Sequence, residues 1–174
     1  MTYKSALKVS ALKVRLPGLL VVLLATALGL LASPARAQVL DLASYPQSSL
    51  EIAAKGARHK FEIWIADTPE RQRQGLMYVR DLPANQGMLF VNESSRVSSF
   101  WMKNTYIPLD MLFIDARGKI VEIFANTTPL SLEPVGSSKP VRAVLELRGG
   151  ESARRGIRAG DRVRHPAFGR MNAR

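Results

Sequence analysis

The chain contains no cysteine. That excludes disulfides, thiol nucleophiles and a lipid-modified cysteine at a processed N-terminus. Only two histidines occur, His59 and His165, far apart and with no ligand-spaced acid beside either. An imidazole-based zinc site therefore has no support. There is no Gly-x-Ser-x-Gly, and Ser99 to Lys103 is a Ser-x-x-x-Lys spacing rather than Ser-x-x-Lys, so nucleophilic serine chemistry lacks a motif. Phosphate-loop patterns are missing too. Gly149-Gly150 ahead of a short helix offers room for one anion, but tight packing explains the pair as well. The longest apolar run, Leu19 to Ala32, has 14 residues, short of the roughly 20 needed to span a bilayer.

That run has a context. Lys4, Lys8, Lys13 and Arg15 precede it, no acid occurs before it, and Ser33-Pro34-Ala35-Arg36-Ala37 follows. A basic start, a short apolar stretch and a small-x-small end predict a secretory signal peptide over residues 1–37, cleaved after Ala37. A periplasmic or secreted location follows, with no stable membrane span after cleavage. Removing the five basic residues of this segment lowers the formal charge from +11 to +6. Much of the excess lies at the end, from Arg154 to Arg174. A basic tail suits an acidic partner, but no aromatic residues interleave to stack bases, so nucleic acid is not an expected partner.

Residues 38–49 read as a flexible lead-in with Pro46 and three serines. Residues 50–166 read as a single β-rich domain, and 167–174 as a basic tail. Leu50–Ala54 and His59–Ala66 form an expected hairpin around Lys55-Gly56-Ala57-Arg58. Asp67-Thr68-Pro69-Glu70 marks a helix start and Gly75 its end. Met88–Val91 is a short apolar strand. Val97–Thr105 reads as extended, with Trp101, Lys103 and Thr105 sharing a face. Leu109–Asp115 and Lys119–Ala125 form a hairpin about Asp115-Ala116-Arg117-Gly118. Asn126–Pro140 is a long loop rich in serine and proline. Val141–Leu147 and Arg162–His165 complete the strands, with a helical turn at Ala153–Gly156. The class expected is mainly β: a compact sandwich or jelly-roll-like barrel of about seven or eight short strands with one or two short helices.

Several stretches together carry a resemblance. They are Arg73, Gly75-Leu76-Met77, Leu82-Pro83, Gly87-Met88-Leu89-Phe90, Phe100-Trp101-Met102-Lys103-Asn104-Thr105 and Ile107-Pro108-Leu109-Asp110. Phe113-Ile114-Asp115, Gly118, Val144-Leu145-Glu146-Leu147 and Gly156-Ile157 with Gly160-Asp161 continue it. The chain resembles the domain-of-unknown-function 192 family over about residues 60 to 165. The resemblance implies a compact β-sandwich or jelly-roll-like fold. It implies no function, and no catalytic residue is carried over from it.

The functional surface is expected at Phe100–Asp110, where Lys, Asn, Thr and Asp adjoin the densest aromatic and methionine run. Trp101, Lys103, Asn104, Thr105 and Tyr106 are the candidate ligand-binding residues. Lys103, paired with Asp110 or Glu146, is the candidate catalytic set, because a sheltered ammonium needs a carboxylate. The competing structural reading is an ion pair that orders the bend at Pro108, with Asn104 and Thr105 bonding backbone to shape the turn. Asp110, Asp115 and Glu146 could meet around a hard cation, but nothing in their spacing demands it. Met77, Met88, Met102 and Met111 offer thioethers suited to a cuprous ion, yet all four sit at apolar positions and read as core. No metal and no cofactor is assigned. The preferred function is a binding module for a small molecule or envelope polymer. A hydrolase or lyase built on Lys103 is the second reading, and an assembly factor with an acidic partner the third.

Overall fold

The computed structural model describes residues 39–169. The signal-peptide reading, and the tail from Arg170, fall outside the described residues. Nine strands and two short helices follow in order. They are β1 (Gln47–Ala54), β2 (Ala57–Ala66), α1 (Pro69–Gln74), β3 (Gln86–Arg96), β4 (Ser99–Phe100) and β5 (Leu109–Ile114). After these come β6 (Ile120–Phe124), β7 (Val135–Gly136), β8 (Val141–Arg148), α2 (Glu151–Arg155) and β9 (Arg162–Arg164).

Seven strands form one sheet in the order β6-β5-β8-β3-β2-β1-β9, and β4 pairs with β7 in a separate two-stranded ribbon. All pairings are antiparallel except β2 with β3. A parallel pair needs a crossover, and α1 lies in it. Thr68 starts that helix, its hydroxyl accepting from the Arg71 amide at 3.3 Å, and Pro69 takes the first turn.

The edge strands of the seven-stranded sheet meet at one end. Lys119 bridges Arg162, the Ile120 amide donates to the Asp161 carbonyl at 2.9 Å, and the Val163 amide donates to the Gly118 carbonyl at 2.7 Å. The sheet is thus curled into a half-barrel. Gly118 makes the closure sterically feasible: its φ is +77°, and a Cβ there would lie 2.4 Å from the Val163 carbonyl oxygen.

The pleat then divides the core in two. Leu112 and Ile114 of β5, Leu145 and Leu147 of β8, and Phe61 and Ile63 of β2 point into the barrel. Met111 and Phe113, Met88 and Phe90, and Val144 point out, under a cover formed by α1, the loops on either side of β4, and the N-terminal segment.

Two expectations need correction. The lead-in is pinned, not flexible. Leu40 exchanges two hydrogen bonds with the Gln74 side chain, at 2.5 and 2.7 Å, Tyr45 is buried, and β1 already begins at Gln47. The described start of the tail is packed as well. Ala167 and Phe168 pack against the inner core, and Arg164 lies in the closing strand β9. The long loop 126–140 does contain structure, the β7 strand that pairs with Ser99 and Phe100.

Candidate functional site

Glu146 stands in the middle of β8, directly opposite Met88 on one neighbouring strand and Met111 on the other. Directly opposed residues share a face, so the carboxyl projects to the outer side among thioethers. The residue is 4% exposed. Among the described residues no donor reaches its oxygens and no cation pairs with it. Burial alone pushes its carboxyl up to about 8, which keeps it protonated and neutral at pH 7.

The carboxyl opens into a cavity of about 740 Å³. Leu76, Phe90 and Phe100 form its apolar wall, and Trp101 and Leu132 stand at its exposed mouth. Gly75 lets the wall close: its φ is +51°, and a Cβ would meet the Phe90 ring at 2.8 Å. Arg73 and Arg96 are the other charged residues of the lining, both exposed.

The mouth has two unusual properties. Of the seven exposed large hydrophobic residues among those described, Val97, Trp101 and Leu132 line the cavity. Tyr78, Tyr106 and Leu130 adjoin it. The Tyr78 amide donates to the Asn104 carbonyl at 2.8 Å, and the Leu130 amide to the Thr105 carbonyl at 3.1 Å. An apolar concentration of this kind marks a contact surface more often than chance exposure does. Tyr78, Asn104 and Leu130 also hold positive φ, at 69°, 56° and 62°. Non-glycine residues in that region are strained, and such strain gathers at functional sites.

The run Val97–Thr105, expected to be extended, departs from that expectation. Only Ser99 and Phe100 are extended in a ribbon, and Lys103-Asn104 is a turn closed by the Thr105 amide on the Met102 carbonyl at 3.0 Å. The turn turns Met102 inward and leaves Trp101 and Lys103 outward.

Of the candidate ligand-binding residues, Trp101 and Thr105 line the cavity. Lys103 sits above the Trp101 ring, its Nζ 5.2 Å from the ring centre. Asn104 and Tyr106 are on the outer side of the lip. The Asn104 amide donates to the Tyr78 hydroxyl at 3.0 Å, and Tyr106 meets Tyr78 edge-on beneath the Arg80 guanidinium. The Thr105 hydroxyl donates to the Lys103 carbonyl at 3.3 Å, the turn-shaping contact anticipated for this pair.

The candidate catalytic set is not assembled. Among the described residues Lys103 has no carboxylate partner. Asp110 lies on the opposite face of the sheet from Glu146 and is fully buried. Its oxygens accept the Asn126 and Gly150 amides, each at 2.9 Å, and the Ser152 amide at 2.7 Å. Asp110 therefore ties the start of α2 and the end of the β6 strand to β5. Asp115 accepts from Arg117 and Lys119 in its own hairpin turn, so the three acids do not converge on one ion. Of the four methionines, Met77 lines the cavity, while Met88, Met102 and Met111 are buried, Met102 taking the Thr127 hydroxyl on its sulfur at 3.1 Å.

Sequence reasoning missed Arg96, Leu132 and Gln72 as lining residues, because they come from segments that only the fold brings together. The signal available for Glu146 was an acid inside the apolar strand Val144–Leu147.

The fold and the site together define a class: a small half-barrel whose outer face carries a sheltered acid beneath an apolar mouth. The chain belongs to the domain-of-unknown-function 192 family, described as an uncharacterized ACR, whose model matches residues 50–165. It is similar to a solved protein of Sinorhizobium meliloti 1021 described provisionally as a transcription regulator. The two share 39% identity at a TM-score of 0.70, covering 71% of this chain and 97% of that one. It is also similar to a protein of unknown function from Novosphingobium aromaticivorans DSM 12444. There the identity is 34% at a TM-score of 0.70, covering 74% of this chain and 91% of that one. No curated protein matches the chain.

Proposed function

We propose that this protein is an exported binding module for a small molecule of the cell envelope, held in the outer-face cavity with Glu146 at its base. The observation that carries the reading is the unpaired acid. A sheltered carboxyl without a protein partner is costly to keep, and at the base of an open cavity it is placed for a ligand to complete its hydrogen bonds. Such a cavity, largely apolar with one or two polar anchors, is the usual form of a small-molecule site. Trp101 and Leu132 would cover the bound molecule. The exported location rests on the signal-like residues 1–37.

A raised carboxyl in a cleft also suits a general acid. The binding reading is favoured because the lining holds no second carboxyl and no imidazole to act as its counterpart. The regulator description of the Sinorhizobium relative would suggest contact with DNA. Among the described residues, however, the helices have only six and five residues, short for a helix read in the major groove.

Native mass spectrometry of gently purified protein tests the proposal. A small adduct is expected on the wild type and absent from Trp101→Ala of unchanged circular dichroism. Wild type free of adduct, with no thermal shift from any fraction of envelope extract, would overturn it.

A further inference from the structure

The charges of the cavity are arranged by depth. Its lining contains three ionisable residues, Arg73, Arg96 and Glu146. The two arginines are exposed at the rim, while Glu146 is buried at the base. Between them the wall is Leu76, Phe90 and Phe100. Lys103 adds a third cation at the mouth, above the Trp101 ring and without a carboxylate partner among the described residues.

We propose that the cavity takes an amphipathic anion, with its charged end at the Arg73–Arg96 rim and a hydrogen-bond acceptor at its buried end facing Glu146. This rests on the binding reading above and adds the class and the direction of the ligand.

The rim selects charge. Among the described residues Arg73 is held only by the exposed Glu70 at 3.0 Å, and pairs that exposed are worth little, so its guanidinium can turn to an incoming anion. Arg96 donates from Nε to the Asn92 side-chain Oδ1 at 2.9 Å, leaving its terminal nitrogens for a carboxylate or phosphate in the forked geometry arginine favours. A cationic ligand would meet three like charges on entry.

The base selects an acceptor. Neutral Glu146 offers one O–H, and no group of the protein accepts it among the described residues. Two of the amide side chains of the lining are already engaged. Gln72 donates to the Ala66 and Val91 carbonyls, and Asn92 to the Ser98 hydroxyl and the Val141 carbonyl. A carbonyl or ether oxygen on the ligand would take the Glu146 proton without placing a charge in the apolar base.

Four para-substituted probes separate the two ends: 4-acetylbenzoate, its methyl ester, 4-acetylbenzylamine and 4-isopropylbenzoate. Binding at millimolar concentration is read from amide shifts of cavity residues in a nitrogen–proton correlation spectrum of the folded protein. The acid is expected to bind at least about tenfold more tightly than its ester or the amine, a difference of about 1.4 kcal/mol. Added salt should weaken the acid alone. 4-Isopropylbenzoate, which keeps the charge and shape but lacks the acceptor, should bind about fivefold less tightly than 4-acetylbenzoate, and Glu146→Leu should abolish that difference. Arg73→Gln should lower affinity for the acid and leave the ester unchanged. Ester or amine binding as well as the acid would overturn the anionic class while the binding module stands. Equal binding of the acetyl and isopropyl acids would overturn the assignment of the base. Failure of every probe to shift a cavity residue would overturn both this inference and the binding reading beneath it.

Discussion

The two faces of one sheet are built to different rules. The centre of the inner face is apolar: Leu50, Ile52, Phe61, Leu112, Leu145 and Val163 meet there and the barrel closes over them, while the polar groups of that face, Asp110 and His59, stand at its ends. The outer face uses softer and larger groups, three buried methionines and a chain of edge-on aromatics from Phe90 through Phe100 and Phe113 to Phe124. It also admits a carboxyl and a cavity of about 740 Å³. Complementary close packing stabilises; a carboxyl sheltered from water without a protein partner does the opposite. The inner face is thus where the fold is held, and the outer face gives up some stability for a site.

The comparison can be broken most severely at Asp110, the buried acid at the end of the inner face. Asp110→Ala strands the buried Ser152 amide and the partly buried Asn126 and Gly150 amides and is expected to cost about 3 kcal/mol, measured by urea denaturation. A loss below about 1 kcal/mol would mean that the amides find other partners.

Glu146 sharpens the contrast through pH. Its carboxyl is raised from 4.5 to about 8 in the folded state. The folded protein therefore binds the extra proton between those values, and stability must fall as pH rises through that window, with the full contribution present below pH 4.5. Burial also lowers His165, whose ring accepts the Ala167 amide and meets the Ser48 hydroxyl. That group acts with the opposite sign, costing stability as pH falls below about 6.5. The interval from pH 6.5 to 8.5 isolates Glu146. Wild type should lose on the order of 2 kcal/mol across it, at about 1.4 kcal/mol per unit at most, and Glu146→Gln should remove the slope. A flat wild-type profile would show that the acid is ionised and partnered.

Matched leucine truncations compare the faces directly. Leu145→Ala, inside the barrel, is expected to cost about 3 kcal/mol. Leu132→Ala, at the cavity mouth and 67% exposed, should cost less than about 0.5 kcal/mol. Equal losses in thermal or urea unfolding would remove the distinction between a holding face and a presenting face. The smallest stability effect is expected for Trp101→Ala, 51% exposed, again under about 0.5 kcal/mol, and it should be seen in ligand adducts instead.

Much of the architecture was legible along the chain because its causes are local. Alternation in Leu109–Ile114 correctly divides Leu109, Met111 and Phe113 from Asp110, Leu112 and Ile114, since the pleat gives successive residues opposite faces. Asp115 to Gly118 is a turn because Gly118 accepts positive φ and the Asp115 carboxylate caps it. Thr68-Pro69 starts a helix for equally short-range reasons. The run Lys103–Thr105 reads as extended along the chain but is a turn, because that turn depends on partners far away, Tyr78 holding Asn104 and Ser131 holding Met102.

By itself, then, the sequence determined the strands, the main turns, the family and the short list that contained Glu146. Only the tertiary structure decided that Glu146 and Asp110 lie on opposite faces, that Lys103 pairs with neither, and that Arg73, Arg96, Trp101 and Leu132 surround one cavity. Strand alternation is a property of neighbouring residues. The encounter of β8 with segments distant along the chain is set by how the sheet curls and what covers it, and no local pattern encodes that.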